Sequence, residues 1–395
     1  MSARADRLAR IALTWLLEPG HLIGWEMVQA FGAPETLWRI LNDPACHSAT
    51  RNTAAARLSA GDPLQTAEQL LARAGELGAR LIIPGDAEWP DQVGDLRTID
   101  LRSTRERVDR DTRPPLCLWV RGPLPLAATL ARSVAVVGAR AATEYGQRMA
   151  SEIGFDLAGK GWTVVSGGAF GIDGAAHRAA LRAGGITVAF LACGVDRPYP
   201  AGNTAMFEQI AGSGLLVSEW PPGAEPLRHR FLVRNRLIAA VTRGTVVVEA
   251  AARSGAVQTL GRAQGIPGRV AMAVPGPVGS VMSVGCHDAL RNLPGTRLVT
   301  GAADILEEVG AIGDDLAPRP RGHDQDRDSL DEDSARLLEA FPAGRREATA
   351  DQLSAHTGID PRTTLRRLAL LTELGFITSQ EGTYALVPRR RSPRR

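Results

Sequence analysis

Several glycine-bearing segments in the middle of this chain carry the residue types that hold phosphate. They are Gly138-Ala139-Arg140, Ser166-Gly167-Gly168-Ala169-Phe170-Gly171-Ile172-Asp173, Cys193-Gly194-Val195-Asp196, Arg253-Ser254-Gly255-Ala256 and Pro275-Gly276. Each closely follows a short apolar run. Glycine adopts positive φ and lets a ligand approach the backbone. The free N–H groups of a helix that opens there face the ligand, and the helix dipole favours an anion. Ser166 to Gly171, ahead of the helix that carries His177, therefore reads as a phosphate site, and Ser254-Gly255 as a second. One such loop is weak evidence. Several on one rim point to a phosphate-bearing ligand.

The densest basic cluster is Arg228-His229-Arg230-Phe231-Leu232-Val233-Arg234-Asn235-Arg236, which begins a helix after the Pro221-Pro222 turn. Arginine binds phosphate bidentately and stacks on bases, and an aromatic ring offers a second stacking plane. Arg234, Asn235 and Arg236 are the candidates here, with Phe231 or an arginine plane as the stacking surface and Arg140 joining from the first loop. The bland alternative is a solvated basic helix start. Catalytic chemistry has less support. His177 is a general base, or else a buried or phosphate-facing histidine. Asp173 caps its helix. Glu249 is a catalytic acid, or a carboxylate that holds an arginine or a backbone amide. No Ser/His/Asp set has catalytic spacing. GxGxxG does not follow the first strand, and GxxxxGK[ST] does not occur, so P-loop hydrolysis of ATP is not expected. No catalytic residue and no cofactor is assigned. The four cysteines, Cys46, Cys117, Cys193 and Cys286, form no CxxC. They read as reduced thiols, with no structural metal.

The elements that must position these residues are legible as alternation. Val134–Val137, Thr163–Val165, Thr187–Leu191, Leu215–Val217, Thr245–Val248 and Val270–Val274 are short apolar runs separated by helical segments. Continuous apolar strands between helices mean a parallel sheet covered on both faces. Residues 131–312 are thus expected to form a doubly wound, extended Rossmann-like α/β core whose ligand lies at the strand ends. Residues 1–80 have helical periodicity, with Leu8, Ile11, Ala12 and Trp15 on one face. They suggest a SAM-like or helix-hairpin-helix-like bundle. Residues 81–130 form a connector with short strands near 81–83 and 116–120. Residues 313–330 are a polar linker and 331–387 a winged helix, with Pro361 at the first position of the recognition helix after an Asp360 cap. Residues 388–395 are a basic tail.

The chain has 395 residues, 44% hydrophobic and 23% charged, with a net charge of +3. That charge does not announce a nucleic-acid partner. Lys160 is the single lysine, so nearly every cation is an arginine. No apolar run reaches the roughly 18 residues of a membrane span. The start reads as an amphipathic helix rather than a secretion signal, and a cytoplasmic protein is expected. Residues 328–387 carry ten acidic residues against six arginines. The winged helix therefore favours a protein partner over duplex DNA, although Arg362, Arg366 and Arg367 keep duplex binding open.

Taken in order, these segments closely resemble the DprA/Smf family. Gly138-Ala139-Arg140, Ser166 to Asp173 with Ala176-His177, Gly194-Val195-Asp196 with Tyr199-Pro200, and Ser218-Glu219-Trp220-Pro221-Pro222-Gly223 follow the family pattern. So do Arg234-Asn235-Arg236-Leu237-Ile238-Ala239, Val246-Val247-Val248-Glu249-Ala250, Ser254-Gly255 with Thr259, and Ala273-Val274-Pro275-Gly276. The resemblance implies a non-enzymatic homodimer. It would bind single-stranded DNA at the strand-end rim and load the recombinase RecA onto it in natural transformation or homologous recombination. Its DNA contacts would centre on Arg140 and then on Arg234 and Arg236. Ala139 replaces the usual serine. Phe170 stands where an arginine or another residue is common, and Ile186 where some members carry a DNA-contacting lysine. Two other functions compete: a nucleotide-processing glycosidase on the same kind of fold, and a regulator led by the winged helix.

Overall fold

The computed structural model describes residues 3–99, 113–310, 330–341, 347–380 and 382–387. It divides into two compact units, Met1–Ala317 and Pro318–Arg395. Five helices open the first unit: α1 (Ala3–Leu16), α2 (Leu22–Phe31), α3 (Ala33–Asn42), α4 (Ser48–Leu58) and α5 (Pro63–Glu76). The strands follow as β1 (Ala79–Ile82), β2 (Leu118–Arg121), β3 (Ser133–Val137), β4 (Thr163–Ser166), β5 (Thr187–Leu191), β6 (Leu215–Ser218), β7 (Gly244–Val247), β8 (Val270–Ala273) and β9 (Arg297–Leu298). Between and after them lie α6 (Leu126–Leu130), α7 (Glu144–Gly159), α8 (Ile172–Arg182), α9 (Thr204–Ser213), α10 (Arg228–Val241), α11 (Gly255–Gly265), α12 (Val284–Asn292) and α13 (Ala302–Val309).

All nine strands form one sheet in the order β1-β2-β6-β5-β4-β3-β7-β8-β9. From β6 to β9 the pairing is parallel; β2 meets β6, and β1 meets β2, antiparallel. The apolar runs are continuous because both faces are covered. Val134 and Val136 pack under α7, α8 and α13, whereas Ala135 and Val137 pack under α10 and α11. Residues 81–130, read as a connector, supply β2 and much of β1. The helical bundle closes over that end of the sheet, sharing one core with Leu81, Cys117 and Trp119. No helix among the described residues is long and apolar enough to cross a membrane.

The second unit contains α14 (Glu332–Glu339), α15 (Ala350–Thr357) and α16 (Pro361–Glu373), with β10 (Glu347–Thr349), β11 (Ile377–Gln380) and β12 (Thr383–Leu386) in the order β10-β12-β11. Local signals set the helix ends. Thr349 and Gln352 form a reciprocal capping box, Gly358 ends α15 at φ 74°, and Asp360 caps α16 with Pro361 behind it. This is the helix-turn-helix and wing expected from the sequence. The linker at 313–330, apart from Leu330, and the tail at 388–395 lie outside the described residues.

Candidate nucleic-acid interface

From β3 the chain winds outward through β4, β5 and β6, then returns to place β7 on the other side of β3. The loops beyond β3 and β7 therefore diverge. In doubly wound sheets this is where ligands bind. A pocket of about 850 Å³ opens there. Its walls are Val137, Gly138 and Arg140 after β3, Ala169 and Asp173 after β4, and one face of α10. Arg253, Ser254, Gly255 and Gln258 close it at the start of α11, and Tyr199 edges it.

Close backbone contacts fix the loops. Gly171 has φ 76°, and a Cβ there would lie 2.2 Å from the Ala139 carbonyl oxygen. The Ile172 amide donates to that same carbonyl at 3.2 Å. A Cβ on Gly167 would lie 2.3 Å from the Arg234 guanidinium, which donates to the Gly167 and Phe190 carbonyls at 2.9 and 2.5 Å. Arg234 is thus a cation in the pocket floor that ties the β4 loop to β5. Burial pulls its pKa down to about 10, against the attraction of nearby Asp173, so it stays charged at neutral pH. Asp173 accepts from the Gly167 and Ala169 amides, yet burial wins over these bonds and over Arg234 and raises its pKa.

Arg140, Arg228 and Arg253 are exposed around the opening, and none has a hydrogen bond or ion pair among the described residues. The Arg140 guanidinium lies 5.0 Å over the Phe231 ring, and Tyr199 meets that ring edge-on at 5.8 Å. The α11 cap is Ser254, whose Oγ accepts from the Ala256 amide at 3.2 Å. The arrangement offers point charges for phosphates, a helix start, and flat groups for bases.

Of the residues singled out from the sequence, Gly138, Arg140, Arg234, Asn235, Ser254 and Gly255 line this pocket. Gly167, Gly168 and Gly171 lie behind the lining and shape its loop. Phe170 is exposed but lies outside the lining, beside Gly202. Three residues need correction, because burial withdraws them from any ligand. The Ser166 hydroxyl donates to the Val136 carbonyl at 2.7 Å. His177 is wholly buried, with Nδ1 2.6 Å from Thr187 Oγ1, and desolvation holds it neutral, its pKa down to about 3. Arg236 is wholly buried in a bidentate pair with Glu219 at 2.7 Å, and also donates to the Arg113 carbonyl.

Glu249 holds the Thr143 amide and hydroxyl at 2.9 and 2.6 Å, behind the β3 loop and away from the pocket. Phe231, read from the sequence as a stacking surface, lines the pocket, and so do Arg228 and Arg253, which were not singled out within their segments. The signal for Arg228 was present: Arg228, Phe231, Leu232 and Asn235 recur at i, i+3, i+4 and i+7, one helix face. Arg253 had only its place beside Ser254.

Fold and site together define a doubly wound α/β protein with an arginine-ringed pocket at its topological switch point and a helix-turn-helix unit after it. The pattern of the family described as DNA recombination-mediator protein A matches residues 80–310, and that of the IclR helix-turn-helix domain matches 334–381. A Mycobacterium tuberculosis relative carrying the name DNA processing protein DprA is 45% identical over 310 residues, spanning 78% of this chain and 77% of its own. Escherichia coli protein Smf is 35% identical over 230 residues, 58% of this chain and 56% of its own. The crystal structure of Streptococcus pneumoniae DprA is similar at a TM-score of 0.61 and 28% identity, covering 79% of this chain and all of that one. This chain belongs to the DNA recombination-mediator protein A (DprA/Smf) family.

Proposed function

We propose that the chain binds single-stranded DNA in the switch-point pocket, without catalysing a reaction on it, and loads RecA onto that strand in recombination or transformation. One observation carries the reading. Arg140, Arg228 and Arg253 stand around an opening that Phe231 helps to line, without a hydrogen bond or ion pair among the described residues. Cations with no internal counter-charge suit phosphates, and a ring in the pocket wall suits unpaired bases rather than a closed duplex. The acid–base candidates lose support as catalysts, since Glu249 is bound to Thr143 and His177 is buried and neutral. The RecA step, a homodimeric state and a cytoplasmic location rest on family membership. At the winged helix, the net negative charge of 328–387 supports a protein partner over a duplex.

Fluorescence anisotropy with labelled oligo-dT and the matching duplex tests the binding step. Three phosphate contacts give a slope of log K against log salt of roughly −2 for the single strand. Equal affinity for the duplex contradicts the proposal. For loading, RecA filament growth on strand coated with single-strand-binding protein should speed up when the chain is added; an unchanged rate removes that part alone.

A further inference from the structure

Helix α10 begins with cations where a helix tolerates them least. Leu227, at the N-cap, provides no side-chain acceptor, and Arg228, His229 and Arg230 stand in the first turn, at the positive end of the dipole. The turn has two faces. Arg228, Phe231 and Leu232 line the pocket. Arg230 points the other way and is buried, and its partner comes from the N-terminal bundle. Arg230 donates through Nε and Nη2 to the two carboxylate oxygens of Glu18 at 3.1 and 2.5 Å. Trp220 Nε1 donates to the same carboxylate at 3.1 Å and Arg57 of α4 at 2.5 Å, with His229 Nε2 3.9 Å away.

Glu18 itself follows α1 with φ 47°, the one non-glycine residue with positive φ among the described residues. Such a conformation is strained and persists where the surroundings over-determine it. Burial raises the pKa of Glu18, but the hydrogen bonds from Arg230 and Trp220 and the charges of Arg230 and Arg57 outweigh it and hold the pKa below the usual value. The group is a carboxylate at neutral pH. It joins an element with no part in the pocket to the far side of the helical turn that forms one pocket wall.

We propose that Glu18 is a positioning residue for the pocket: through Arg230 it holds the first turn of α10 so that Arg228 and Phe231 face the ligand. This rests on the reading of the pocket as a single-stranded-DNA site. Loss of the carboxylate leaves Arg230 without its charge partner at the base of an uncapped cationic turn. The turn then shifts or frays, taking Phe231 from beneath Arg140.

The test is a mutant cycle on the full chain, read by anisotropy with labelled oligo-dT well below the melting temperature. Glu18→Gln preserves shape and removes charge; it should weaken binding about fivefold, which is ~1 kcal/mol of coupling. Made in a chain already carrying Arg228→Ala and Phe231→Ala, the same change should have no effect. Made with Arg253→Ala, on the opposite wall, it should keep its full effect. Should Glu18→Gln fold poorly, Arg230→Lys, which keeps the charge and loses the fork, is expected to give the same pattern. A Glu18 that only fastens the bundle to the core lowers the melting temperature and leaves affinity unchanged, or changes it equally in both backgrounds; either result overturns the proposal while single-strand binding stands. A wild-type chain that ignores oligo-dT overturns both.

Discussion

The four arginines of the cluster at 228–236 look alike in the sequence and have four different roles in the fold. Arg228 stands free at the pocket mouth, Arg230 pairs with Glu18, Arg234 braces the pocket floor, and Arg236 is sealed against Glu219. Residue types marked the cluster as a candidate for phosphate contact, but only helical periodicity separates its faces. No local pattern announces a partner such as Glu18, 212 residues away. The consequence for Arg236 is specific. Arg236→Ala leaves Glu219 buried without its counter-charge, which costs about 3–5 kcal/mol. Urea denaturation should record that loss, with the affinity of the folded protein for oligo-dT unchanged. His177 supplies a pH dependence. Its folded pKa is near 3 and its ordinary value 6.5. Between these values the unfolded chain binds a proton that the folded chain does not, so stability falls as pH drops from about 6.5 towards 3. His177→Gln should flatten the denaturation midpoint across that window; an unchanged slope contradicts the assignment.

At the scale of elements, the central strands were legible because burial on both faces makes them uninterrupted apolar runs. Strand β9 was not, since its two residues are both exposed, and β1 and β2 showed as strands without their antiparallel place at the sheet edge. The rim was legible in its glycines, though their roles were not. Several hold loop against loop rather than approach a ligand. Gly171→Ala combines an unfavourable φ with a Cβ 2.2 Å from the Ala139 oxygen and 2.5 Å from that of Arg140. It should cost more than about 2 kcal/mol of stability and, by moving the Arg140 peptide, weaken DNA binding as well. Thermal melts and anisotropy on the same sample check both. Ser254→Ala should be milder, removing one cap at a cost of ~1 kcal/mol.

For the molecule as a whole, a net charge of +3 spread over 395 residues gives little long-range pull on DNA. The positive charge that the proposed site offers is local: four arginines against one aspartate around one pocket. Its reach is set by screening, about 10 Å at 0.1 M salt. The pocket lies wholly within Met1–Ala317. A chain ended at residue 317 should therefore keep its affinity for oligo-dT, and loss of all DNA binding would favour a regulator led by the winged helix. The most direct measurement is anisotropy of labelled oligo-dT across a salt series for wild type, Arg140→Ala and Arg182→Ala, the last an arginine on α8 outside the pocket. Arg140→Ala should weaken binding about tenfold and reduce the salt slope by about 0.7, one phosphate contact, while Arg182→Ala tracks wild type. Equal losses in both variants, or none in Arg140→Ala, would contradict the pocket as the place where the strand binds.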